Sequence, residues 1–225
     1  VFYFRAPPEY AQILTDGAIE VVTLANNHSY DYGDQGYADT QNALTERGVE
    51  YFAYNETLVR EVNGIKFGFF GLAFDSDPDR IHALMDQLYN QGAEIIIAYN
   101  HDGWERDYSP DSAQIDGART AIDYGASAVF FSHPHVLQGI EEYNGGFIAY
   151  SMGNFCFGGN SNPSDKDTMI VQLEFTRTSE GFDRSYTIIP CSLSSASGYN
   201  DYQPTVLEGD ERQRVMDKIL GMSYL

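Results

Sequence analysis

Residues 19–33 read I-E-V-V-T-L-A-N-N-H-S-Y-D-Y-G, a short apolar run that stops in a polar loop carrying a histidine. Its first half, 19–25, is rich in β-branched residues and nearly continuous in apolar character, the pattern of a strand covered on both faces of a sheet. The polar loop 26–33 leaves the carboxyl end of that strand. On either side the signals are helical. Upstream, Pro7 and Pro8 suit a helix start, Tyr10, Ile13 and Leu14 follow at helical spacing, and Gly17 stands where a helix closes. Downstream, helix signals cover 34–47 and Gly48 ends them. Helix, buried strand, polar loop and helix in that order make an α/β unit.

The same order recurs along the chain. Asn63-Gly64 between two apolar runs, 58–62 and 65–74, is the strongest short signal for a β-hairpin. A helix over 80–91 leads to a strand over 93–99 and a polar loop from Asn100. A helix over 111–124 leads to a strand over 127–131 and a polar loop from Ser132. The pattern then turns to strands, over 147–151, 168–176 and 185–189. An amphipathic helix over 210–222 closes it, with Val215, Ile219 and Leu220 on one face. No repeat or linker divides the chain, so the expectation is a single domain over 1–225, an α/β sandwich with mixed sheets. Ligands of such folds lie beyond the carboxyl ends of the strands.

Composition narrows the function classes. The chain has 225 residues, and 33 acidic against 13 basic side chains leave a net charge of −20. With 43% hydrophobic and 14% aromatic residues, intrinsic disorder is excluded. An isoelectric point near 4.3 repels phosphate backbones and anionic lipid, which excludes non-specific nucleic-acid binding and polybasic membrane binding. An anionic substrate would need a bound cation to hold it. No stretch approaches the ~18 apolar residues of a spanning helix. The chain opens at Val1 rather than Met, so an export signal or anchor is expected upstream. Cys156 and Cys191 lack metal spacing and are expected as two buried thiols, with a single bridge as the alternative.

Five histidines occur, and four of them, His28, His101, His133 and His135, fall in the three loops that follow buried strands. Asn26, Asn27 and Asp31 accompany the first, Asp102 and Glu105 the second. Imidazole with carboxylate and amide oxygens suits Zn, Mn or Fe better than a thiolate-seeking metal. His133-Pro134-His135 is an H-x-H pair whose alternate residues point the same way on an extended segment. His82 lies inside a helical pattern with no polar cluster around it and reads as structural. Tyr30, Tyr32, Trp104 and Tyr108 flank the loops as packing or contact surface.

These residues resemble a known family. L-A-N-N-H-S-Y-D-Y-G at 24–33 is similar to the A-N-N-H-x-x-D-x-G signature of the bacterial capsule-synthesis CapA (PGA_cap) family, associated with poly-γ-glutamate capsules. H-D-G-W-E at 101–105 resembles that family's H-W-G-x-E block. S-H-P-H-V-L-Q at 132–138 and Y-S-M-G-N-F at 150–155 resemble its H-P-H-V and Y-S-L-G-N-F segments. The family is related to the calcineurin-like metallophosphatases, so the resemblance implies a metallophosphatase-like layered α/β/β/α sandwich with mixed sheets. It also implies that an N-terminal strand segment of the family pattern, with its carboxylates, is missing here.

By motif, the resemblance implies Asn27, His101, His133 and His135 as metal ligands for one or two divalent ions. His28 would stand beside the substrate as acid or electrostatic stabiliser, Asp31 would orient its loop, and Glu105 would make an outer contact or help recognise substrate. The implied function is poly-γ-glutamate capsule synthesis or export, with a metal-dependent hydrolase-like site. The alternatives are a non-catalytic polymer-binding assembly factor or a metal-dependent phosphodiesterase. The implied partners are poly-γ-glutamate or a related anionic polymer and membrane-bound capsule proteins. The implied location is the extracellular face of a bacterial membrane, anchored by an N-terminal segment absent from this sequence. A homodimer formed by strand exchange is a further expectation.

Overall fold

The computed structural model of the protein describes residues 2–224. A 3₁₀ turn, Pro8–Ala11, runs into helix α1, Gln12–Asp16. Strand β1, Val21–Thr23, follows, then helix α2, Gly33–Glu46, and strand β2, Glu50–Phe52, which lies parallel to β1. The strand expected over 19–25 therefore shrinks to three residues, all half-buried. Two causes are visible. Thr23 Oγ1 accepts from the Ala25 amide and the Leu24 carbonyl from the Asn26 amide, which turns the chain out of the ladder. Among the described residues β1 also pairs only with β2.

Strands β3, Thr57–Val62, and β4, Ile65–Ala73, form the expected hairpin, with Val62 opposite Ile65. Its turn needs positive φ at both central residues, and Asn63 (52°) and Gly64 (77°) supply it. Helix α3, Pro78–Asn90, starts where the Asp77 side chain accepts from the Asp79 amide and proline occupies the first turn. Its apolar face, Ile81, Leu84, Met85 and Leu88, is fully buried, each side chain contributing about 1.5–3 kcal/mol. Gly68 on β4 lets that face approach, because a Cβ there would lie 2.8 Å from Ala93 Cβ and 3.0 Å from Leu88. Strand β5, Ile95–His101, runs parallel to β4 and delivers His101 at its carboxyl end. Helix α4, Ser112–Asp123, and strand β6, Ala128–Ser132, follow.

The later part is β-rich, as expected. Strands β7, Ile140–Tyr143, and β8, Gly146–Ala149, join a six-stranded sheet of order β3-β4-β5-β6-β8-β7. A long hairpin pairs β9, Asp167–Thr178, with β10, Gly181–Ser192, and β10 also pairs with β11, Thr205–Val206. Helix α5, Gly209–Gly221, comes last. The four longer helices fall within two residues of their expected bounds. Strands β2, β7 and β11 are unforeseen, and each has four residues or fewer. Antiparallel β3-β4 beside parallel β4-β5 makes the large sheet mixed.

The chain separates into two compact units: 1–102, 113–130 and 143–147 in the first, 103–112, 131–142 and 148–225 in the second. Phe70, Leu72, Ile95 and the α3 face fill the first core; Phe131, Leu137, Ile148, Tyr150 and Val215 fill the second. Within the second unit α5 is fastened by charge. Arg214 donates to both oxygens of Asp167 (2.9 and 2.7 Å), and Lys218 Nζ reaches Asp165 (2.7 Å) and Asp167 (2.8 Å). Both cysteines are free thiols. Cys191 is buried, which pushes its thiol up, while Cys156 is exposed, unlike the expected buried pair. His82 stacks on Tyr124 at 4.0 Å within the first unit.

Candidate metal centre

In the first unit the loop after β1 folds on its own side chains. Asn26 Oδ1 accepts from the His28 amide (2.8 Å), and Ser29 Oγ donates to the Leu24 carbonyl. His28 Nδ1 lies 2.9 Å from Asp31 Oδ2, which also accepts from the Phe4 amide at 2.8 Å, and the Phe4 ring stands edge-on to the imidazole at 4.6 Å. Asp31 thus orients His28 and places the Nδ1 hydrogen toward the carboxylate, leaving Nε2 to meet a ligand. Asn27 Oδ1 lies 2.9 Å from His101 Nε2, while the Tyr99 hydroxyl is 3.4 Å from His101 Nδ1. Two donors at right angles on one cation with ~2.1 Å bonds sit roughly 3 Å apart, so this spacing suits a shared ion as well as a hydrogen bond.

In the second unit Glu105, His133 and His135 bring one donor atom each to within 4.8 Å of one another. The backbone that does this is unusual. His133 (φ 109°), His135 (φ 60°) and Arg106 (φ 62°) all lie in the left-handed region that residues with a Cβ seldom occupy. Several bonds hold them there. The Arg106 amide donates to the Pro134 carbonyl at 2.8 Å, joining the Glu105 loop to the middle of H-x-H. The fully buried Gln138 donates through Nε2 to the Asp107 and Ser109 carbonyls, both at 3.0 Å. Tyr108 donates to Asp165 at 2.9 Å; burial and then that carboxylate raise its pKa, which keeps the phenol a donor. Asn154 meets both the ring and the carbonyl of His135, and the Phe157 ring lies 5.1 Å from that imidazole.

Two imidazoles and a carboxylate form a donor set that fits a divalent cation of the Zn, Mn or Fe type. Tetrahedral donors on ~2.0–2.2 Å bonds lie about 3.5 Å apart, and the three donor atoms here lie within 4.8 Å of one another, with Glu105 the exposed member. Glu105, expected as an outer contact or an aid to substrate recognition, brings a carboxylate oxygen to within 4.8 Å of donor atoms of the H-x-H pair. Asn154 and Gln138 carry no role in the sequence reading, although both lie inside quoted motifs. Only their contacts, 19 residues away for Asn154 and about 30 for Gln138, reveal what they do.

A mixed α/β fold whose strand ends carry these histidine loops is of the calcineurin-like metallophosphatase type. The solved sulfate thiohydrolase SoxB of Thermus thermophilus, in complex with glycerol, has a similar fold. Its TM-score is 0.52 at 13% identity, over 80% of this chain and 34% of that one. Residues 1–159 match the family described as bacterial capsule synthesis protein PGA_cap, and the chain belongs to that family. The PGA biosynthesis protein CapA of Bacillus subtilis strain 168 is 27% identical over 219 residues, 87% of this chain and 56% of that protein. The capsule biosynthesis protein CapA of Bacillus anthracis is 29% identical over 196 residues, 76% and 47% of the two chains. The chain thus spans about half the length of these relatives.

Proposed function

We propose that this chain is the metal-holding portion of a factor for poly-γ-glutamate capsule synthesis or export, and that it has hydrolase-like chemistry. The observation that carries this reading is the convergence of Glu105, His133 and His135 donor atoms within 4.8 Å in a family of capsule-synthesis proteins. Glu105, His133 and His135 would hold one divalent cation, Zn, Mn or Fe, and Asn27 with His101 would also hold a cation. Such an ion supplies Lewis-acid polarisation of a carbonyl or phosphoryl oxygen when bound. His28, oriented by Asp31, donates a proton or offsets negative charge developing on the substrate. Residues 1–225 act as one domain in this reading. The partners are poly-γ-glutamate and membrane-bound capsule proteins at the outer face of the membrane, reached through an upstream anchor, with a second copy of the chain as a further partner.

A second reading, a polymer-binding assembly factor without turnover, draws on Trp104. It is 69% exposed beside Glu105 and offers a contact surface. Metal analysis of the purified protein, paired with hydrolysis assays on poly-γ-glutamate and on a chromogenic phosphodiester, separates the readings. Turnover that is lost in His28→Ala with metal content unchanged supports the hydrolase. Saturable polymer binding with no turnover on either substrate supports the assembly factor.

A further inference from the structure

We infer that Asn154 makes His135 a metal donor, by holding its neutral imidazole as the Nδ1–H tautomer and so leaving Nε2 as the coordinating atom. This deepens the reading of Glu105, His133 and His135 as a cation site and rests on it. The argument starts from one carboxamide with two different ends. Asn154 Nδ2 donates to the His135 carbonyl at 3.2 Å, and Asn154 Oδ1 lies 2.8 Å from His135 Nδ1. Reversing the amide would set its oxygen against the carbonyl oxygen with no hydrogen between them, so the orientation is determined. An amide oxygen only accepts. The ring nitrogen facing it therefore carries the hydrogen, and in a neutral imidazole the other nitrogen then keeps the lone pair.

Free histidine prefers the opposite tautomer, with the hydrogen on Nε2, so Asn154 works against the default. The surroundings stiffen this grip. Ser151 Oγ donates to the Val136 carbonyl at 2.7 Å and accepts from the Gly153 amide at 3.2 Å, which stitches 151–153 onto the segment just after His135. Gly153 has φ of 71°, and a Cβ there would lie 2.9 Å from the Asp167 carbonyl, so Asn154 is presented from a tightly seated turn. His135 itself sits at φ 60°. Asn154 thus holds both its strained backbone and its ring, the outer-contact role that commonly sets ligand tautomer and basicity.

The test uses the full chain and two variants, Asn154→Ala and Asn154→Asp. Two-bond ¹⁵N–¹H correlations of the metal-free protein assign the His135 tautomer, and calorimetric titration with Zn²⁺ measures affinity. The wild-type protein is expected as Nδ1–H. Asn154→Ala is expected to move His135 to the Nε2–H tautomer and to weaken Zn²⁺ binding about 10–100-fold. Asn154→Asp keeps the acceptor but sets an oxygen against the His135 carbonyl, and is expected to keep the tautomer while losing less affinity than Asn154→Ala. An Nε2–H signal in the wild-type protein overturns the inference while leaving the cation site standing. Equal loss of affinity in both variants, with the tautomer unchanged, overturns it in favour of a purely structural Asn154. No saturable Zn²⁺ binding by the wild-type protein overturns the site reading and the inference together, and that outcome is visible in the titration whatever the spectra give.

Discussion

At the residue scale, His133 combines an imidazole gathered beside Glu105 and His135 with a backbone at φ 109°, a conformation suited to glycine. In the proposed site, coordination and local stability therefore oppose each other at this position. His133→Gly is expected to relieve roughly 1 kcal/mol of backbone strain, leaving thermal stability equal to or above the wild type. The same change should abolish Zn²⁺ binding at the Glu105 cluster. Differential scanning calorimetry beside metal titration checks both, and a large fall in Tm would contradict the strain assignment. The residue types of the site were legible in the sequence because histidines after apolar runs are rare enough to notice. Their strain was not, since φ at a residue between serine and proline is decided by what its neighbours bond to.

At the scale of elements, the 103–112 loop and the H-x-H segment act as a pair joined by Gln138. Gln138→Leu keeps the volume but strands the Asp107 and Ser109 carbonyls, at a cost of about 1–3 kcal/mol. We expect Zn²⁺ affinity to fall about tenfold or more with the far-ultraviolet circular dichroism unchanged; unchanged affinity would show that Glu105 converges without this tether. Helix α5 carries a pH dependence. Burial alone would raise the Asp167 pKa, but hydrogen bonds from Arg214 and Lys218 more than offset it and hold the carboxyl below its ordinary 3.8. The unfolded chain therefore takes up this proton first as pH falls, so the contribution is complete above about pH 4 and disappears as pH drops through the folded value. Asp201, held near 2 chiefly by the Ser195 hydroxyl, adds to the same acid slope. Chemical denaturation between pH 5 and pH 2 should show a shallower loss for Asp167→Asn than for the wild type, with about 1–2 kcal/mol lower stability at pH 7. The hairpin at Asn63-Gly64 and the four longer helices were legible because each is specified by residues next to it. Strands β2, β7 and β11 were not, because two to four residues carry no period and exist only where a longer strand offers its edge.

At the scale of the whole molecule, a charge of −20 on 225 residues means that the folded chain repels itself. Screening should help: raising NaCl from ~20 to ~500 mM is expected to increase Tm by a few degrees, and a fall would show that specific ion pairs outweigh the net field. The same charge makes an anionic polymer depend on a bound cation, so chelation should abolish any association with poly-γ-glutamate, measurable by co-sedimentation. The sequence by itself determined the α/β order of elements, the acidic character, the family, and the histidines, carboxylates and amides available for a metal, because these follow from local periodicity, composition and ordered motifs. Tertiary structure alone decided that Glu105 joins His133 and His135, that Asn154 grips His135, and that Gln138 ties the two loops. Each of those rests on one or two hydrogen bonds between segments far apart in the chain, and no local preference encodes a contact whose energy exists only after both segments have been brought together.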